Sequence, residues 1–341
     1  MRKKIMSCLR CISIFMSLFT ALNTVFAAGE SLSGGMAKLR TQFQFGMASN
    51  NMDYDVYSPV KNDGDKTKYP LVVWIHGFFS GAAPGLQVTN NDISYWTSKE
   101  FQARFPQGGA FILCPRSKEA VDIWSDLMAA DLKLCIDYFI SKHSDNVDTT
   151  RIYIGGLSTG AKMVYTMCSK YPEMFAAAFP CSPTSAVTSG EAIRMKDIPV
   201  WLLAATHDDR ASYDVQVASW KRVVAASNKK SDCRIAVFNG KDMLYPDGSK
   251  VDHPHDTWFA ANYDMFTKAN QSYYNMSVLD GNGKTVNLTY PKGMISWLSQ
   301  FHSNYQGTKV TQSVSMYTIV LGLVYAVINR FVIVFGIKGI A

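Results

Sequence analysis

The stretch "RIYIGGLSTGAKMVYTM", Arg151 to Met167, decides how this chain is read. An apolar run, Ile152 to Ile154, gives way to Gly155-Gly156, and a helical pattern begins at Thr159. Between them Gly156-Leu157-Ser158-Thr159-Gly160 matches G-x-S-x-G. A serine at a sharp strand-to-helix turn has a strained backbone, and small residues two before and two after it keep the neighbouring chain clear. The helix that follows points its free N–H groups at negative charge developing beside the serine. Glycine-rich turns are common, so Ser158 qualifies as a nucleophile only with an oxyanion hole, an acid and a base in the right chain order.

Each of these has a candidate. Upstream, "YPLVVWIHGFFSG" is a buried strand ending in His76-Gly77-Phe78-Phe79. The main-chain N–H of Thr159 and that of Phe78 (or Phe79) are the candidate oxyanion donors, each worth roughly 3 kcal/mol. His76 is read as a support for that loop, because the base in this chain order comes last. Downstream, "IPVWLLAATHDDRASY" carries an apolar strand into Asp208-Asp209, and the C-terminal edge of a strand is where α/β folds place functional groups. Spacing from the strand end favours Asp208 as the acid, with Asp209 second. The base is sought in "DHPHDTWFAANYDMF", where His255 with Trp258 forms H-x-x-W; His253 is second. A metal site built from His253, His255 and nearby aspartates is the rival reading, but no third ligand is evident.

The rest of the chain alternates apolar strands with amphipathic helices. Strands are expected at Asp53–Tyr57, Leu71–Ile75, Ala110–Leu113, Ile152–Ile154, Ala176–Phe179, Val200–Ala204 and Arg234–Phe238. Helices are expected at Ser125–Ser141, Thr159–Lys170, Ser212–Ser227 and Gly293–Phe301, with Trp258 opening another. Nearly continuous apolar strands separated by helices describe an α/β fold, a mostly parallel sheet covered on both faces. No linker divides it, so one domain is read from residue 28 to 302. The order Ser158, Asp208, His255 is that of the α/β-hydrolases, and differs from both common serine-protease orders.

On these residues the chain resembles a known group. "DTTRIYIGGLSTGAKMVYTMCSKYPEMFAAAFPCSP" is similar to the nucleophile region of polyhydroxybutyrate-depolymerase-like and feruloyl-esterase-like enzymes, the first family of carbohydrate esterases, and of prolyl-oligopeptidase-like hydrolases. The resemblance runs from about Tyr54 to Phe301. It implies an α/β-hydrolase fold and a secreted serine esterase without a cofactor, acting on feruloyl or acetyl esters of plant polysaccharide or on short hydroxyalkanoate esters. Three positions depart from the pattern: Ala205 and Pro254 stand where glycine is usual, and Asp208-Asp209-Arg210 is more polar than the common turn. The alternatives are a prolyl-oligopeptidase-like peptidase and a non-catalytic binding protein on the same scaffold. "GFFSGAAPGLQ", "PCSPTSAVTSG" and Trp124, Trp201 and Trp258 are candidates to line the cleft entrance; exposed tryptophans there suit sugars, buried ones are core.

The two ends carry addresses. Arg2, Lys3, Lys4 and Arg10 precede an apolar stretch to Leu22, and Val25-Phe26-Ala27 offers small residues for cleavage, so residues 1–27 are read as a secretory signal. It contains four of the 34 basic residues and none of the 27 acidic ones, so its removal lowers the formal charge from +7 to +3. That weak surplus, with no Arg/Lys stripe, argues against a nucleic-acid partner. Beyond the domain, residues 303–341 form a hydrophobic extension, and "MYTIVLGLVYAVINRFVIVFGIKGIA" from Met316 is long enough for a membrane anchor, interrupted by Arg330; the rival reading is a buried or non-native extension after the last domain helix. Five cysteines follow the signal, without metal-ligand spacing.

Overall fold

A computed structural model describes residues 39–308, except 62–63, 79, 82–83, 90–92, 118–123, 246–247, 267 and 290–291. The expected signal segment and the apolar run from Met316 lie outside the described residues. Among the described residues, no helix is long and apolar enough to cross a membrane.

Among the described residues, nine strands form one sheet: β1 (Gln44–Met47), β2 (Asp53–Tyr57), β3 (Tyr69–Ile75), β4 (Phe111–Pro115), β5 (Val147–Leu157), β6 (Ala177–Cys181), β7 (Trp201–Ala205), β8 (Arg234–Phe238) and β9 (Met276–Asp280). Their order across the sheet is β1-β2-β4-β3-β5-β6-β7-β8-β9. The six strands from β4 to β8 in that order are parallel to one another, while β1, β2 and β9 complete the two edges in antiparallel pairings. Parallel strands need crossovers, and α1 (Ala129–Lys142), α2 (Thr159–Lys170) and α3 (Tyr213–Ala226) supply three of them; α4 (Trp258–Asn262), between β8 and β9, and α5 (Met294–Leu298), after β9, also bear on the site.

Alternation along the strands builds a core on each face. Leu71, Val73 and Ile75 of β3 pack with Ile152 and Ile154 of β5 and with α1 and α2. Val72 and Trp74 point the other way, with Tyr153, Phe179 and Trp201, toward Phe259 of α4 and Trp297 of α5. A sheet covered on both faces must be apolar at consecutive positions, which is why β3, β4, β6 and β7 are buried at every residue. The α/β expectation therefore holds, with helices on both faces.

Two edge strands, β1 and β9, were not expected, and β5 begins at Val147 rather than Ile152. The added residues of β5, Asp148 to Arg151, are polar and half-buried, so they carry no apolar signal. Past residue 302 the chain stays packed: the main-chain N–H of Ser303 donates to Thr150 O at 2.8 Å, and Tyr305 is buried against α1.

Candidate active site

Phe78, Ser158, Asp208 and His255 lie in the segments that follow β3, β5, β7 and β8, and Thr159 is the first residue of α2. Ser158 directly follows β5, with φ 57° and ψ −119°, a backbone region that side-chain-bearing residues rarely adopt. Such a conformation costs on the order of 1–3 kcal/mol and persists only where the surroundings impose it. Here its N–H donates to Cys181 O at the end of β6 (2.9 Å), and its carbonyl accepts from Lys162 N–H, starting α2. The flanking glycines have a steric cause. A Cβ at Gly160 would strike the carbonyl oxygens of Ile75 and His76, and one at Gly156 would lie 2.6 Å from Ile75 O. The turn can therefore lie flat against the end of β3 only with glycine at both positions.

That contact also brings the candidate oxyanion loop to the serine. A Cβ on Gly77 would strike Leu157 and lie 3.4 Å from Ser158 Cβ. Phe78 comes next and is 44% exposed; Phe79 lies outside the described residues. Thr159 occupies the first helical position, whose N–H has no partner within a helix. His76 is wholly buried and held at both ring nitrogens. Ser117 N–H donates to Nε2 at 3.1 Å, so Nδ1 carries the hydrogen and donates to Gly77 O at 2.8 Å. Burial, with the nearby Arg116 charge, pushes this imidazole down to about 4, so it stays neutral and braces the loop. Arg116 in turn forks onto Asp53 of β2 at 2.6–3.0 Å.

Asp208, after β7, and His255, after β8, meet each other. His255 Nδ1 lies 3.0 Å from both carboxylate oxygens of Asp208. Oδ1 of Asp208 also accepts the N–H groups of Arg210 and Ala211 at 2.9 Å, and Oδ2 accepts Gln216 Nε2 at 2.8 Å. Burial works against its charge, but the His255 hydrogen bond and charge and the two amides hold the carboxyl below its usual range. A carboxylate fixed on Nδ1 orders the imidazole so that Nε2 is the free acceptor. Nε2 of His255 is buried and has no hydrogen-bond partner.

The second candidates pair with each other. His253 Nδ1 contacts Asp209 Oδ2 at 3.1 Å, with side chains 44% and 46% exposed, while the Asp208 side chain is fully buried. The two histidines thus face different acids, and among the described residues no group of three or more His, Cys, Asp or Glu is placed to hold a metal ion. Two tryptophans correct the expectation for the cleft entrance. Trp124 and Trp201 are fully buried. Trp201 packs on Phe266 and Trp297 at 4.7 and 5.3 Å, and the Trp124 indole donates to His76 O at 3.0 Å. Trp258 is half-buried. The sequence reading missed Gln216, a buried glutamine eight residues past Asp208, and Arg116, whose link to His76 only the fold reveals.

Comparisons with known proteins agree with this architecture. Residues 122–242 match the model of the prolyl oligopeptidase family. A probable acetylxylan esterase A of Aspergillus fumigatus is 26% identical over 182 residues, covering 50% of this chain and 46% of that protein. Poly(3-hydroxyalkanoate) depolymerase C of Paucimonas lemoignei is 31% identical over 144 residues, covering 40% of this chain and 32% of that one. The chain spans half or less of the length of the curated relatives it matches. A solved thermostable esterase superposes with a TM-score of 0.55 at 24% identity, covering 70% of this chain and 63% of that one. The fold is that of the α/β-hydrolases.

Proposed function

We propose that this chain is a secreted serine hydrolase of carboxylic esters. In this reading Ser158 is the nucleophile, His255 the general base and Asp208 the acid that orients it, with the N–H groups of Thr159 and Phe78 as oxyanion donors. The observation that carries it is the His255–Asp208 pair: Nδ1 is committed to a buried carboxylate, and Nε2 is left buried and unpartnered. An imidazole so held is ready to accept a proton.

The reaction follows from those roles. Ser158 Oγ–H gives its proton to His255 Nε2 as Oγ bonds to the ester carbonyl carbon, and the carbonyl oxygen becomes an oxyanion facing the two amides. The imidazolium, stabilised by Asp208, protonates the alkoxide oxygen as the C–O bond to it breaks, leaving an acyl-serine. Water then gives a proton to His255 while its oxygen attacks the acyl carbon, and the acid departs as Ser158 regains its proton. Similarity to acetylxylan esterases and to a hydroxyalkanoate depolymerase supports acetyl esters of polysaccharide, or hydroxyalkanoate esters, as the substrate class, with feruloyl esters added by the resemblance of the nucleophile region.

The test is hydrolysis of p-nitrophenyl acetate, and labelling by a fluorophosphonate, in wild type and Ser158→Ala. Both activities are expected in wild type, with turnover reduced by at least about a thousandfold in the variant. Equal labelling of the two proteins defeats the proposal. The match to the prolyl oligopeptidase family favours one second reading, a peptidase. Acetylated xylan, methyl ferulate, a hydroxyalkanoate oligomer and a chromogenic Xaa-Pro peptide separate the two; cleavage of the peptide alone replaces the esterase with the peptidase.

A further inference from the structure

We infer that a buried hydroxyl pair, Ser182 with Thr257, is the strut that sets His255 against Ser158; this rests on the reading of those two residues as base and nucleophile. Their oxygens lie 2.8 Å apart although the residues are 75 positions apart in the chain. Both side chains are wholly buried.

Three features mark the pair as more than incidental packing. First, Ser182 has φ 46°, a left-handed conformation that a serine holds only when its surroundings impose it. Second, Thr257 stands at the N-cap of α4, where a threonine hydroxyl ordinarily accepts an N–H of the first turn, yet it makes no such bond. Its hydroxyl is turned to Ser182 instead. Third, the dipeptide Cys181-Ser182 touches the three segments that carry Ser158, Asp208 and His255. Cys181 O accepts the N–H of Ser158, Ser182 N–H donates to Leu203 O of the strand leading to Asp208, and Ser182 Oγ meets Thr257, two residues beyond His255. Thr257 N–H donates to His255 O at 2.9 Å, so the strut acts on the base through a single tight turn.

Asp208 fixes the direction of the imidazole, and the strut fixes its distance from the nucleophile. Ser182 and Thr257 are positioning residues and touch no reacting atom. A shift of about an ångström in such a site can cost up to roughly a hundredfold in rate, so loss of the strut falls on the chemical step and leaves substrate binding alone.

The experiment measures p-nitrophenyl acetate kinetics, fluorophosphonate labelling rate and thermal melting for Thr257→Val, Thr257→Ser, Ser182→Ala and the Val/Ala double variant of the full chain. Thr257→Val and Ser182→Ala should each lower kcat about tenfold or more, with KM within about twofold and labelling slowed in proportion. Thr257→Ser, which keeps the hydroxyl, should retain kcat, and the double variant should be no worse than the weaker single one. Wild-type kcat in Thr257→Val, or an equal loss in Thr257→Ser, overturns the inference; so do additive losses that track melting temperature. Should Thr257→Val fail to fold, Ser182→Ala reads the same contact. If wild type turns over no ester, the hydrolase reading falls, and the NMR resonance of the His255 Nδ1 proton still judges the strut. A shifted or broadened resonance in Ser182→Ala supports it, and an unchanged one overturns it.

Discussion

Asp208 and Asp209 are chemically identical neighbours, and the backbone between them gives them different environments. Asp208 lies under the loop and collects His255, two amides and Gln216. Asp209 faces outward to His253. Asp208→Asn should therefore lower kcat by up to about 10⁴-fold, since an amide favours the wrong imidazole tautomer, while Asp209→Asn stays within a few-fold; steady-state kinetics on one ester decides it. The same contacts carry a pH signature. The Asp208 carboxyl titrates lower in the folded protein than its ordinary 3.8, so the folded state favours its charged form. Its contribution to stability is full above the unfolded value and lost as pH falls through the lower folded one. Urea melts of wild type and Asp208→Asn should differ above about pH 4 and converge below it.

At the scale of elements, glycine placement and buried charge decide what each strand end can do. Gly160→Ala must push a methyl into the carbonyls of Ile75 and His76, both backbone atoms that cannot swing aside. The variant should lose about 1–3 kcal/mol in a urea melt and most of its activity, because β3 carries the candidate oxyanion loop away from α2 as it yields. On β2, burial and the neighbouring Asp53 charge push the Asp55 carboxyl up to about 7. A raised carboxyl binds its proton more tightly when folded, so ionising it costs stability as pH rises from the unfolded value toward 7. Asp55→Asn should thus be more stable than wild type at pH 8, on the order of a few kcal/mol, with the gain vanishing near pH 4. The central strands were legible in the sequence because two covered faces demand unbroken apolar runs. β1 and β9 were not, because QFGM and MSVLD are short edge segments with one neighbour each. The serine, acid and histidine candidates were legible through their order at strand ends. Ser182 and Thr257 were not, since nothing in "PCSPTSAV" or "HPHDTW" signals a contact across 75 residues.

Across the whole molecule, the two ends of the sheet have separate tasks. The candidate site occupies the C-terminal edge of the parallel strands, and the segment after residue 302 closes the other edge. Ser303 N–H donates to Thr150 O near the start of β5, and Ser303 Oγ donates to Met174 O just before β6. Tyr305 buries its ring in the core around α1, and its hydroxyl donates to Asp137, itself buried and paired with Lys133. Thr150 precedes the regular part of β5, and the six residue steps from Ile152 to Ser158 alone span about 20 Å at strand rise, so the two edges are structurally remote. Truncation after residue 302 should therefore separate stability from catalysis. It opens the core at Tyr305 and leaves the buried Asp137 with Lys133 but without the Tyr305 hydroxyl, a loss of about 3–5 kcal/mol by analogy with deletion of a core aromatic. A chain ending at residue 308 keeps these contacts and should melt in urea several kcal/mol later than one ending at residue 302. Tyr305→Ala in the full chain should reproduce most of that loss, and kcat below the melting transition should stay within about twofold, because independent sites more than about 10 Å apart rarely couple. A matching fall in kcat would mean instead that the packing of β5 at Thr150 is transmitted along the strand to the turn at Ser158.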